Sequence, residues 1–115
     1  MSRVVRVLSI KTINRDMFCG SRSRFIDYTN KLSETAKYQN GFISSESFWK
    51  NDIFDYYSKN YQIVSISNWN NIADWNRWYK SSDRKFISDK FNELDCKEEF
   101  NILLKKKNND DIFLL

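Results

Sequence analysis

A chain of 115 residues fits one domain, because a second would be too short to bury a core of its own. With 41% hydrophobic and 17% aromatic residues it is globular, and its formal charge of +4 is spread too evenly to mark a nucleic-acid face. There is no histidine and no run approaching the roughly 18 apolar residues that span a bilayer, which argues against a histidine metal site and against a membrane anchor.

Arg3 to Ile13, RVVRVLSIKTI, is β-branched and apolar on both alternating sets, and reads as a strand covered on both faces. It has none of the apolar length of a signal peptide, so the expected location is cytoplasmic, with Cys19 and Cys96 as free thiols. From Ser21 the spacing turns helical, with Phe25, Tyr28, Leu32 and Ala36 on one stripe. Ser21 or Ser23 can cap its start, and Gly41 can take the left-handed conformation that stops it. Phe42 to Lys50 reads as a second strand, with Phe42 and Phe48 on one face and Ile43 and Trp49 on the other. Asn51 to Asn60 reads as an insertion or long hairpin loop. Tyr61 to Trp69 forms a third strand, Asn71 to Asp95 two helical pieces broken near Ser81-Ser82, and Glu99 to Lys107 a last strand.

The order β-α-β-β-α-β is that of a ferredoxin-like α+β sandwich with an antiparallel sheet, over residues 1–107, followed by a tail over 108–115. Helices cover one sheet face. The other also carries apolar residues from every strand, and its expected cover is a second copy of the chain in a homodimer. The tail segment Ile112–Leu115 is a candidate docking segment for a partner or a strap across the dimer.

Three tryptophans stand within ten residues, at Trp69, Trp75 and Trp78. Trp75 suits the helix-to-sheet core, whereas Trp78 can face a cavity. The serines Ser44, Ser45, Ser47, Ser65 and Ser67 are small for central strands and leave room for a helix, water or a flat guest held by hydroxyls. No Cys/His metal spacing, nucleophile with a histidine base, or phosphate-cradling glycine loop is present. An RNA-recognition module shares the element order, but VVRVLSI and YQIVSISN lack its mid-strand aromatics, so no nucleic acid is expected.

Gly41-Phe42-Ile43, a strand ending at Trp69, a second tryptophan nine residues on at Trp78, then Ser81-Ser82 and Arg84, resemble the antibiotic biosynthesis monooxygenase (ABM) domain family over about residues 3–105. The resemblance implies a dimeric α+β barrel whose protomers each enclose a pocket between sheet and helices. It implies enzymes that oxygenate quinol-like aromatics without metal or flavin, or that degrade haem. In the haem-degrading pattern Trp78 is the pocket tryptophan and Asn14 falls near a strand-one asparagine, but the haem-ligating histidine is replaced by Ser88. Serine is a poor axial ligand, so no haem and no other cofactor is expected. In the quinone-forming pattern Trp69 is retained, and Ser65 stands where an asparagine holds the phenolate.

Cofactor-independent oxygenation needs a stacked ring and a stabilised oxyanion in a dry pocket. The resemblance therefore makes Trp78, Trp69 and Asn14 the candidate catalytic residues, with Ser65, Asn68, Tyr61 and Arg84 as candidate substrate-binding donors. A small planar aromatic or quinol-like substrate is one expectation. The other is a non-catalytic dimer of the same fold that binds a small molecule or a protein partner.

Overall fold

A computed structural model describes residues 4–50 and 59–104. Residues 51–58 of the expected insertion, residues 105–107 of the expected last strand and the Ile112–Leu115 segment lie outside the described residues.

The elements run β1 (Val5–Asn14), α1 (Ser21–Ala36), β2 (Phe42–Trp49), β3 (Asn60–Trp69), α2 (Ile72–Tyr79), α3 (Ser82–Lys90), a 3₁₀ turn at Asn92–Leu94, and β4 (Lys97–Leu104). The strands form one antiparallel sheet in the order β2-β3-β1-β4, which is the ferredoxin-like topology. Two central strands set the parity of the sheet. Val5 pairs with Trp69, Val7 with Ser67, Ser9 with Ser65 and Lys11 with Ile63, so the odd-numbered residues of β1 and β3 share one face. Odd residues of β1 are buried and its even residues are not, which places the helices on the odd side.

The helical stripe Phe25, Tyr28, Leu32 and Ala36 is buried throughout. It packs with Val5, Val7, Ile13, Ile63 and Trp69 of the sheet, and with Trp75 and Trp78 of α2, Ile87 of α3, and Phe91 and Leu94 just beyond it. Trp75 belongs to this core as expected, stacked on Tyr79 with both rings against Phe100. On the opposite face Leu8 pairs with Ile66 and Ile10 with Val64, an apolar centre that their own neighbours only partly cover. Phe48 and Leu103 flank it in the open, 51% and 49% exposed.

Two local expectations are corrected. Helix α1 takes Gly20 as its N-cap, in the left-handed conformation with no side-chain cap, while the Ser21 hydroxyl donates back to the Arg15 carbonyl at 3.1 Å. In β2 the register shifts between Phe42 and Ser44, because a bulge at Ile43 inserts one residue on the β2 side. Simple alternation therefore fails. Phe42 meets Trp69 and Trp49 meets Phe25 on the helix side, and Ile43 and Phe48 face outward.

Gly41 is required by its neighbours as well as by its own φ of +83°. Helix α1 has already stopped at Ala36, so this glycine serves the turn into β2. A Cβ there would stand 2.1 Å from Asp74 Oδ2 and 2.5 Å from Asp74 Cβ, at the start of α2. Asp74 cannot step aside, since its amide is bonded to Asn71 Oδ1 and its carboxylate to Arg77. Gly41→Ala is expected to cost at least about 1–3 kcal/mol from backbone strain alone. A urea midpoint equal to that of the parent chain would contradict this.

Candidate functional site

A cavity of about 60 Å³ lies between α1, α2, α3 and the helix-side face of the sheet. Its sheet wall is the run of small residues that the serine-rich strands supply: Ser9, Ser45, Ser65 and Ser67. These side chains are short enough to leave space beneath a helix, and each carries a hydroxyl. Trp69 closes one side and Trp78 another.

Lys11 enters this space from β1 and is 5% exposed. Its ammonium donates to Ser9 Oγ at 3.0 Å, and among the described residues no carboxylate reaches salt-bridge distance. The nearest candidate, Glu98, is its register partner on β4 but is committed elsewhere. Arg84 Nη2 lies 2.6 Å from Glu98 Oε2, and the Tyr28 hydroxyl donates to Glu98 Oε1. Arg84 is further held over the rings of Tyr79 and Phe100. Its α3 backbone is fixed by Ser81, whose hydroxyl caps the helix by accepting from the Arg84 amide at 3.1 Å.

The electrostatics follow from this division of partners. Burial holds the Lys11 amine below the ordinary lysine range; Glu98 and Cys96 push it back up and Arg84 pushes it further down. Burial raises the Glu98 carboxyl, but the Arg84 charge, bonds from Tyr28 and Arg84, and the Lys11 charge outweigh burial and leave it below its usual value. Burial and Glu98 together raise the Tyr28 hydroxyl. The Cys96 thiol is pushed up to about 12 by burial and by Glu98, and stays protonated. The Thr29 hydroxyl of α1 also lines the cavity and is buried without a hydrogen-bond partner. The hollow thus combines apolar walls, one under-partnered cation and one under-partnered hydroxyl.

Four of the sequence-derived candidates meet here: Trp69, Trp78, Ser65 and Arg84 all line the cavity. Trp69 is fully buried and its indole N–H already donates to Ser67 Oγ at 2.9 Å, so it offers a wall and no free donor. The Ser65 hydroxyl is bonded to Ser47 Oγ at 2.8 Å. Three candidates stand elsewhere. Asn68 has even parity and faces the opposite side of the sheet, accepting from Arg6 and donating to Ser44. Asn14 sits at the exposed end of β1, where its side-chain Oδ1 accepts from the Asp16 amide at 2.9 Å. Tyr61 has the right parity but lies at the far end of β3, beneath the Arg15 guanidinium at 4.8 Å and against Trp49.

Lys11, Ser9, Thr29, Tyr28 and Glu98 were not among the sequence candidates. One signal was available: Lys11 shares its alternating set with Val5, Val7 and Ile13, and a lysine on the covered set of a central strand is rarely there for solubility. Among the described residues there is no cluster of His, Cys, Asp and Glu able to hold a metal ion, and no helix is long and apolar enough to cross a membrane. Cys19 and Cys96 are both free.

No family model and no curated protein sequence matches this chain. In three dimensions it is similar to a variant of SnoaB, a cofactor-independent oxygenase from Streptomyces nogalater, with a TM-score of 0.71 and 14% identity over 96% of this chain and 100% of that one. A Nitrosomonas europaea protein provisionally named as an antibiotic biosynthesis monooxygenase gives a TM-score of 0.66 at 9% identity, over 96% and 95% of the two chains. Hydroxynitrile lyase from Passiflora edulis gives 0.64 at 12% identity, over 94% and 98%. The chain therefore has the ferredoxin-like α+β fold of the ABM proteins. The presence of a lyase among its neighbours shows that the fold does not choose the reaction, which must be argued from the site.

Proposed function

We propose that this protein is a cofactor-independent monooxygenase that acts on a small phenol- or quinol-like ring. The observation that carries the reading is a tryptophan-walled hollow with a buried, under-partnered lysine, inside a fold shared with a cofactor-independent oxygenase. Dioxygen accepts electrons one at a time, and a phenolate yields one far more readily than a phenol. A site that holds the oxyanion in a dry pocket lowers the barrier to that first transfer. The overall change balances without a cofactor: a phenol with a free ring carbon and O₂ give a quinone and water. One oxygen atom becomes the new carbonyl, and the other leaves with the hydrogens of the hydroxyl and of that carbon.

The dimensions narrow the substrate. About 60 Å³ is the share of two water molecules, whereas a benzene-sized guest occupies a cavity of about 150 Å³. On that comparison the hollow alone is too small for even one ring, so a ring must lie partly outside it, and small rings are the class to test first. Oxygen consumption with a panel of mono- and bicyclic quinols, without added metal or flavin, is expected to show uptake that falls about tenfold or more in Trp78→Phe, as orienting contacts in a pocket allow. No uptake across the panel would favour the second reading, a non-catalytic binding dimer, which the small hollow supports.

The same reading includes a homodimer through the outer face of the sheet. Leu8, Ile10, Val64 and Ile66 form its centre, Phe48 and Leu103 its margin, and covering them removes an apolar patch that water otherwise wets. Sedimentation is expected to give twice 13.9 kDa, and Ile66→Lys to give the single mass by burying an unpaired charge at the centre. A lone 13.9 kDa particle for the unmodified chain at high concentration would remove the dimer.

A further inference from the structure

A second space opens between α1 and the sheet beside the first. It measures about 160 Å³ and is lined by Ile26, Asn30, Phe48, Trp49 and Ile63, together with Thr29 and Ser47. Thr29 borders both spaces. On the sheet side a pair of hydroxyls links their linings: Ser65 belongs to the first space, Ser47 to the second, and the two bond at 2.8 Å. The larger space is an open groove with the volume of a cavity that takes a benzene ring, walled by polar and apolar atoms in nearly equal measure. The smaller has room for little more than an oxygen atom and a water, and it holds the cation.

We infer that a single-ring phenol lies in the groove between α1 and β2 beside Trp49, passes its hydroxyl across the Thr29 junction, and gives its proton to Lys11, which then holds the phenolate. The inference rests on the oxygenase reading for its turnover but not for its binding chemistry. The step is a proton transfer alone. The phenol O–H bond breaks and an N–H bond forms on the fraction of Lys11 that is the free amine, which leaves an ammonium paired with a phenolate; no electron changes hands. Oxygen enters afterwards.

The surroundings of Lys11 suit that role. Burial and the Arg84 guanidinium from α3 favour the neutral amine, which can take a proton; Glu98 from β4 and Cys96 just before it oppose them, and the Tyr28 hydroxyl from α1 points at Glu98. Once protonated, the ammonium has one acceptor among the described residues, Ser9 Oγ, and gains from an anion. Arg84 cannot supply the same service, since Glu98 already neutralises it. The Thr29 hydroxyl, buried and without a partner, stands where a substrate oxygen must pass, and gives it a hydrogen bond there.

The test uses 4-nitrophenol, whose phenolate has its own absorption band, added to the full-length protein at a pH below its ionisation in free solution. The phenolate band is expected to rise at least tenfold above the free-solution fraction. Lys11→Met, or Lys11→Gln should methionine prevent folding, is expected to abolish the band while the ring still binds by equilibrium dialysis. Ile26→Trp, which fills the groove, is expected to abolish binding, with circular dichroism reporting the fold. Absence of binding to the parent chain, an unchanged band in both lysine variants, or unchanged binding in Ile26→Trp each overturns the inference. A Lys11-dependent phenolate band with no oxygen uptake from any phenol supports the inference and sinks the oxygenase reading. Oxygen uptake that Lys11→Met leaves unchanged does the reverse.

Discussion

Glu98→Ala is expected to cost about 3–5 kcal/mol in unfolding free energy, the cost of breaking a buried ion pair from one side. Two buried groups lose their partner at once, since Arg84 and the Tyr28 hydroxyl both end on this carboxylate. The side chains of Arg84 and Glu98 are only 12% and 13% exposed, so solvent does little to screen the loss. Glu98→Gln keeps the shape and the bond from Tyr28 and removes only the charge, so it is expected to cost less than alanine. The pH dependence separates charge from packing. The folded Glu98 carboxyl titrates below its usual value of 4.5, so the stability it contributes is complete above that value and is lost as pH falls through the lower, folded pKa. Urea unfolding across the acid range is expected to show this limb in the parent chain and not in Glu98→Gln. An alanine variant within about 1 kcal/mol of the parent would show that Arg84 and Tyr28 find water instead.

Much of the fold was legible because periodicity carries it. The stripe Phe25, Tyr28, Leu32 and Ala36 predicts both the helix and its buried face, and the serine-rich strands predict a hollow under it. Strand parity, pursued further, also reports on the site. Ser65 and Trp69 share odd positions of β3 with Ile63, and Asn68 shares even ones with Val64 and Ile66, so Asn68 belongs outside. The β2 bulge was not legible. An extra residue among Ile43, Ser44 and Ser45 leaves no compositional mark, because small polar residues fit either face, and it reverses Phe48 and Trp49. Lys11 was hidden for a different reason. The apolar residues of both sets of β1 mask the one charge on its covered set, and the charges that act on it, Glu98 and Arg84, are far away in sequence.

Lys11→Met is expected to make the protein more stable and less able, a combination that a merely structural lysine would not give. Methionine has nearly the same length and carries no charge to bury, so at neutral pH the gain is expected to be roughly 0.5–2 kcal/mol. The sign follows from the amine. Its folded pKa lies below the ordinary 10.5, so between the two values the unfolded chain binds more of this proton than the folded one, and below both the full cost of burying the charge is present. Stability of the parent chain therefore rises with pH through the window between the lowered folded value and 10.5, and the methionine variant loses that rise. Activity moves the other way. A base that works as the free amine gives a rate that climbs with pH through its folded pKa, and its removal is expected to cost about 10²–10⁴-fold in turnover and to erase that limb. Thermal unfolding and oxygen uptake over the same pH series check both halves together. A variant that is destabilised at neutral pH would mean that the bond to Ser9 outweighs burial of the charge, and Lys11 would then be part of the architecture and not of the chemistry.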